Sequence, residues 1–485
     1  RIEIGLRGLD TAALPPTRPP ASRHPDHPGT VHCGTTKGGA PRYRWSMTAH
    51  DWQSLPTDPT SRQALAESGL DYRLVDTSDA AAFGDYLQAG HRGFLGPDAT
   101  DEQLGATREA LAFRRTTGVY DSTTPNPTLP VATVNSWIAE LTLPGGHGIP
   151  MWAISNVTVA PTHRRRGVAR ALLEGELRTA ADAGVPIAGL TVTEATIYGR
   201  FGFAPAAFAS DWTIETARAG WRGMRPEGRI DFIDRERLNA ELPALHERVR
   251  RTQPGEVNGW PGLWRKISGT TAGQEHARKI RAVRYADAAG RTRGIAVYRL
   301  SDEGPDFTKH ELTLNFLLTE TADAYAALWR FVLEHDLVST VQAPLRSVDE
   351  PVRWMIADQR AATVTTSEHH WLRVLDVPRA LAARRYLAEG EFVLRVLDPL
   401  GFADGTWMLR VSADGEGSVE VASAEASTVA PLITLGAAEL ASLLLGGVRA
   451  TTLHAAGRIE GDADAVAALD RSFASIETPW LALWY

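Results

Sequence analysis

A single cysteine, Cys33, occurs in 485 residues, which excludes an internal disulfide framework and a cysteine-rich zinc site and gives little basis for a thiol nucleophile. That usage suits a reducing compartment, and a cytoplasmic protein is expected. No run of about 18 consecutive apolar residues is present, so no membrane-spanning helix and no membrane partner are expected. The N-terminus lacks the basic, apolar, small-residue order of a signal peptide. Positive charge is not in excess either: the net charge is −7, which argues against broad nucleic-acid binding while allowing a local cationic notch. No metal site is expected, because the histidines near the N-terminus are scattered. What the chain does have is apolar content for several cores, 43% hydrophobic against 22% charged, and a length that suits roughly three domains.

Residues 1–46 read unlike the remainder. "LPPTRPPASRHPDHPGTVHCGTTKGGAPR" is crowded with Pro, Gly and His and has no apolar period, so the stretch is expected to be disordered. It begins with Arg1, and Met47 opens a more protein-like segment, so 1–46 is also expected to be upstream or non-native sequence. From about residue 70 the order is strand at "DYRLVDTSD", helix at "AAAFGDYLQAGHRGF", helix at "DEQLGATREALAFRR", then "PVATVNSWIAELTL" and "MWAISNVTVAP" joined by "PGGHG" as an antiparallel pair.

The second strand of that pair runs into "VTVAPTHRRRGVARALLEGEL", Val157 to Leu177. Ala169, Leu172, Leu173, Leu177 and Ala180 recur at helical spacing, so three arginines stand where a helix begins. A helix N-terminus carries partial positive charge, and cations there are unfavourable by roughly a few tenths of a kcal/mol each. An anion is expected. Strand, basic glycine turn and helix would aim successive N–H groups at one point, and a pyrophosphate fits there. Gly167 and Ala169 would let it approach the main chain. The plainer alternative is a solvated basic helix start.

Arg164-Arg165-Arg166-Gly167-Val168-Ala169 resembles the Arg/Gln-x-x-Gly-x-Gly/Ala signature of the GNAT superfamily of N-acetyltransferases, and "TEATIYGRFGFAPA", Thr193 to Ala206, resembles the aromatic segment that follows the next strand there. Together they look like the Eis (enhanced intracellular survival) family of actinobacterial acetyltransferases. That resemblance implies an α/β (α+β) chain with two tandem GNAT-like domains followed by a sterol-carrier-protein-like C-terminal domain. It implies acetyl-CoA as co-substrate. Val157, Thr158 and Val159 would pair with the pantetheine through the main chain. Arg165, Arg166, Gly167, Val168, Ala169 and Arg170 would hold the pyrophosphate, and Thr193 and Glu194 would lie beside the acetyl group.

The expected boundaries are 70–220 for the catalytic domain, 221–370 for a degenerate second copy and 371–485 for the third region. The second copy repeats the strand and helix order, but "TETADAY" replaces the arginine turn after "LTLNFLL", so no coenzyme A is expected there. The third region, from "RVLDVPRALAARRY" onward, reads as a small sheet covered by helices. Its apolar helix "AAELASLLL" suits a core, or alternatively a lipid site.

The chain's last stretch, "SFASIETPWLALWY", is strongly apolar and expected to be buried. By the resemblance, the Tyr485 main-chain carboxylate reaches the active site and serves as the base, where the residues alone allow a tail that only packs. A positioned carboxylate can accept the substrate proton, and Tyr198, a phenol of ordinary pKa about 10, would return one to the leaving group. The alternative for Tyr198 is aromatic packing. With Cys33 outside the motif region an acyl-cysteine intermediate has no candidate, so direct transfer in a ternary complex is expected; the resemblance further implies small cationic amine substrates such as aminoglycosides, and a homohexamer. Two rivals are a protein lysine N-acetyltransferase and a lipid-binding protein with an inactive GNAT scaffold.

Overall fold

The computed structural model describes residues 52–301, 306, 308–423 and 425–485. The stretch 1–46, expected to be disordered, lies outside the described residues. Five strands come first: β1 (Asp71–Leu74), β2 (Arg115–Tyr120), β3 (Ala132–Thr142), β4 (Gly148–Val159) and β5 (Ile187–Thr191). Of the helices that flank them, two shape the site. Helix α1 (Ala80–Gly93) starts where the Asp79 carboxylate accepts the N–H groups of Ala81 and Ala82, and buries Phe83, Tyr86 and Leu87 along one face. Helix α2 (Val168–Asp182) buries Val168, Leu172, Leu173, Leu177 and Ala180, the face that its spacing predicts.

The order then repeats. β6 (Ala204–Glu215) leads into β7 (Arg229–Ile233), β8 (Arg281–Ala286), β9 (Thr292–Leu300) and β10 (His310–Thr319), followed by helix α3 (Ala322–Leu333), β11 (Val338–Arg346) and β12 (Ala362–Val374). All twelve strands join in one sheet, ordered β1-β2-β3-β4-β5-β12-β6-β11-β10-β9-β8-β7. The halves exchange strands. β6 follows the first half in sequence but pairs with β11, while β12 follows the second half and pairs with β5. β12 and β6 then pair with each other from Ala362 to Leu372, so neither half can close its sheet alone.

This exchange corrects the expected boundary near residue 371. Trp371 lies inside β12, opposite Leu190 of β5, and the C-terminal unit begins only with the helix Val377–Ala382. The stretch 371–375 reads as a fresh start because its partners are remote in sequence. Beyond it, β13 (Gly390–Leu397), β14 (Gly405–Val411), β15 (Gly417–Val421), β16 (Leu432–Gly436) and β17 (Ile459–Glu460) form a second sheet, ordered β15-β14-β13-β16-β17. Helix α4 (Ala437–Leu443) packs on β6 and β12. Its buried Leu440, Ala441 and Leu443 belong to one core with Leu372, Val374 and Ala206, so the apolar stripe of "AAELASLLL" is core. Arg373 fastens the two sheets. It donates to the Phe201 carbonyl at 2.8 Å and to Asp398 at 2.6 Å, and both charged side chains are essentially inaccessible.

Candidate active site

β4 and β5 run parallel, yet they pair only from Met151–Ile187 to Ala153–Gly189. β4 continues to Val159, so the β5-facing edge of its last residues, Val157, Thr158 and Val159 included, is open. A one-residue irregularity in the β3–β4 ladder falls here, with Asn156 at φ +54°. Side chains hold that bulge. Asn156 donates to the Tyr86 hydroxyl at 2.8 Å, and Thr133 donates to the Asn156 carbonyl at 2.8 Å. Neither Gly90 nor Gly93 of α1 leaves room for a methyl group against Asn156 and Thr158, so α1 is seated directly on the strand.

At the end of β4 the chain turns through Pro161–His163 into the arginine stretch. Arg165 and Gly167 take left-handed backbone conformations, φ +63° and +76°, which orient the intervening amides unlike a regular helix. No side chain caps α2, and the first intrahelical bond comes from Ala171 N–H to the Gly167 carbonyl at 3.0 Å. A Cβ placed on Gly167 would meet nothing within 4 Å. An uncapped N-terminus facing open space beside an open strand edge suits a diphosphate and its pantetheine arm. The arginines do not all face that space. Arg166 turns back to the Ser68 carbonyl at 2.9 Å and to Asp121 at 3.7 Å, so its side chain braces the turn. Asp121 also bonds His163 at 3.0 Å, and the Thr123 hydroxyl followed by His163 holds its carboxyl below the ordinary carboxylate range. Arg165 is exposed, and Arg170 lies along the helix against Glu174.

Beyond β5, Thr193 and Glu194 are exposed, and Glu194 accepts the Thr196 hydroxyl at 3.1 Å. Tyr198 ends the short helix Ala195–Tyr198 and is buried, edge-on to Phe203. Burial, and then the negative charge of Glu194, lift its phenol above the ordinary 10. The segment that carries it is fixed by Gly202, at φ +80°, where a side chain would collide with the Arg373 guanidinium.

The apolar tail is buried at Leu481, Ala482 and Leu483 and ends at β5. Thr191 donates its hydroxyl to the Tyr485 main-chain oxygen at 2.9 Å. The Tyr485 ring lies edge-on to Trp137 and to His370, and its hydroxyl is 2.7 Å from His370 Nε2. Gly189 is the reason it fits: a methyl group there would sit 2.4 Å from Met151 Sδ and 3.0 Å from the Tyr485 hydroxyl. The second half treats the equivalent places differently. The side chain of Thr321 caps α3, Glu320 is occupied by Arg248 and Arg293, and buried Arg346 of β11 reaches across to the Leu317 carbonyl of β10 at 3.3 Å. Trp480 of the tail covers Arg346, its ring 5.0 Å away.

Several residues here escape sequence reasoning. Arg114 is buried with its guanidinium 3.7 Å from the Trp137 ring centre, bonded to Asn135 and drawn down to about 9 by burial, against the opposing influence of Tyr86 and Tyr485. Thr191 and Asn156 are equally silent, whereas the adjacent His369 and His370, buried in β12, are a usable signal. Among the described residues, no group of three His, Cys, Asp or Glu side chains is placed to hold a metal ion, and no helix is long and apolar enough to cross a membrane.

Comparison with known proteins gives three matching family models: an acetyltransferase (GNAT) domain over residues 72–206, a second acetyltransferase (GNAT) domain over 255–374, and a sterol carrier protein domain over 377–482. The chain is similar to an uncharacterized N-acetyltransferase of Streptomyces avermitilis, 35% identical over 422 residues that cover 85% of this chain and 97% of that one. It is also similar to N-acetyltransferase Eis of Mycobacterium tuberculosis, 33% identical over 69% of this chain and 81% of that one. Among solved structures, Eis1 of Mycobacterium abscessus superposes with a TM-score of 0.72 at 26% identity, covering 86% of this chain and all of that one.

Proposed function

Since the chain belongs to the actinobacterial Eis-like family of GNAT N-acetyltransferases, we propose that it transfers acetyl from acetyl-CoA directly to a primary amine of a small cationic substrate, with aminoglycosides the first class to test. The first GNAT domain is the catalytic one and the second is a packing partner. Val157 to Val159 offer their open main-chain edge to pantetheine. The main-chain amides from Arg165 to Arg170, with the exposed Arg165 side chain, receive the pyrophosphate, while the Arg166 side chain braces the turn, and Thr193 and Glu194 flank the acyl end. Acetyl-CoA supplies the activated thioester.

The observation that supports this reading most is a juxtaposition at β5. An open β4 edge, a bare helix N-terminus and the main-chain oxygen of Tyr485 on Thr191 all border one strand end. In the proposed reaction, the Tyr485 carboxylate gathers the ammonium group and accepts its proton. Amides of β4 near Val157 donate to the carbonyl oxygen as charge builds on it, and Tyr198 gives its proton to the departing sulfur. Cys33 lies outside the motif region, so no acyl-cysteine intermediate is invoked. The working form is a homohexamer, which native mass measurement tests.

Thiol release is measured with acetyl-CoA and a panel of aminoglycosides, polyamines and lysine peptides. Release with aminoglycosides is expected. Release with peptides alone assigns a protein lysine acetyltransferase, and none with any amine leaves a scaffold. Appending residues after Tyr485 is expected to lower turnover by roughly 10²-fold or more, as removal of a general base does, with acetyl-CoA affinity in calorimetry unchanged. Tyr198→Phe lowers turnover more than affinity.

A further inference from the structure

The tail is held by a row of contacts that the proposed chemistry does not itself use. Gln253 donates to the Thr478 carbonyl at 2.7 Å, Trp480 N–H bonds the Pro254 carbonyl at 2.9 Å, and Ala482 N–H meets Glu256 Oε1 at 2.5 Å. His369 Nε2 donates to the Leu483 carbonyl at 2.9 Å. Up to Leu483, then, the main chain is fixed. Trp484 is half exposed, and what holds the last residue is Thr191 on its main-chain oxygen and His370 on its phenol.

Deepening the terminal-carboxylate reading, and resting on it, we propose that His370 is the positioning residue for Tyr485, accepting a hydrogen bond from its phenol and thereby setting where the main-chain carboxylate stands beside β5. The hydrogen bonds determine the tautomer. His370 Nδ1 is 3.1 Å from the Gly255 carbonyl, which can only accept, so Nδ1 carries the proton. Nε2 of the uncharged ring is then a lone pair, and the Tyr485 hydroxyl 2.7 Å away is the donor. Burial keeps both partners in these states: it draws the imidazole down to about 3 and lifts the phenol well above 10.

The strand is shaped for this grip. Successive residues of a regular strand face opposite ways, but β12 is irregular on both sides of His370, so adjacent His369 and His370 both bond the tail. Bulges beside active sites re-aim side chains in this manner. A second consequence concerns the acid. The Tyr485 phenolic proton is committed to His370, so it is not the proton that reaches sulfur, a role the proposed reaction gives to Tyr198.

The test uses the full chain, acetyl-CoA and the best amine of the panel above. Tyr485→Phe keeps the ring and the carboxylate but removes the donor. His370→Asn keeps a donor for Gly255 and loses the acceptor, while His370→Gln can return an acceptor to the Nε2 position. Tyr485→Phe and His370→Asn are each expected to lower kcat about tenfold with KM for acetyl-CoA within about twofold, since small misplacements of a reacting group cost up to ~10²-fold. The double variant is expected to be no worse than either, and His370→Gln to retain kcat within about threefold. In histidine-labelled protein, the ¹⁵N signal of His370 Nε2 is expected to move in Tyr485→Phe while Nδ1 stays protonated. If the chain-extended protein is inactive but Tyr485→Phe has unchanged kcat and an unmoved Nε2 signal, the positioning role is overturned and the carboxylate reading stands. If the extended protein is fully active, the carboxylate reading itself has failed. Should His370→Asn not fold, Tyr485→Phe and the ¹⁵N signal decide the question.

Discussion

Acidification is expected to loosen the tail and its seam before it affects the rest of the fold. His370 is fully buried, and burial, reinforced by its neighbour His369, lowers its pKa from the ordinary 6.5 to about 3. An unfolded chain therefore takes up a proton between these values that the folded chain refuses. Stability from this site is complete above about 6.5 and is lost as pH falls toward 3. At pH 5, about 1.5 units below the unfolded-state value at ~1.4 kcal/mol per unit, the loss is about 2 kcal/mol. His369 is lowered by burial as well and adds in the same direction. Glu350, raised by burial, acts in the opposite direction. Urea unfolding at pH 7 and pH 5 measures the difference, and His370→Asn should remove about 2 kcal/mol of it. A stability that is flat over this range, or an equal fall in His370→Asn, refutes the buried neutral imidazole.

Three further outcomes are expected. Gly189→Ala forces a methyl group between Met151 and the Tyr485 hydroxyl, so kcat should fall with acetyl-CoA affinity preserved, at a stability cost of about 1–3 kcal/mol; wild-type kinetics would mean that Tyr485 is placed elsewhere. Arg373→Met leaves Asp398 buried without its partner and should cost about 3–5 kcal/mol in urea unfolding, whereas a loss under 1 kcal/mol would show the pair to be solvated. Calorimetry should find one acetyl-CoA per chain, because α3 is capped by Thr321 and Arg346 bridges β10 and β11; two would contradict the degenerate second half.

The local parts of this architecture are written in the sequence. The antiparallel pair β3 and β4, helix α2 and the missing arginine turn before α3 each follow from periodicity, turn residues and charge within a short window. The burial of Leu481 to Leu483 follows from composition alone. What escapes is what depends on distant partners. Nothing near Ala204 or Ala362 announces that β6 and β12 trade places, and a boundary near Trp371 is the natural reading until β5 supplies the opposite strand. Arg166 offers the same lesson at the site: its place in the motif suggests a phosphate ligand, but Asp121 and Ser68, both brought in from elsewhere, claim its side chain.

The tail meets the two halves of one architecture differently at their clefts. Each half contains a parallel pair that stops bonding part-way, β4 with β5 and β10 with β11, and such a gap must be filled or hydrated because its main-chain groups need partners. In the second half Arg346 fills it, and the Leu317 carbonyl is satisfied from within the protein. Trp480 then seals that plug and donates to the Leu345 carbonyl. Five residues later the same segment brings Tyr485 to the first gap, but there it bonds the Thr191 hydroxyl and leaves the edge of β4 beyond Ala153 free. One extended tail thus covers the second gap and borders the open one. This gives the C-terminal unit a mechanical part in the cleft, since the tail reaches both gaps from a unit that Arg373 and helix α4 fasten to the large sheet.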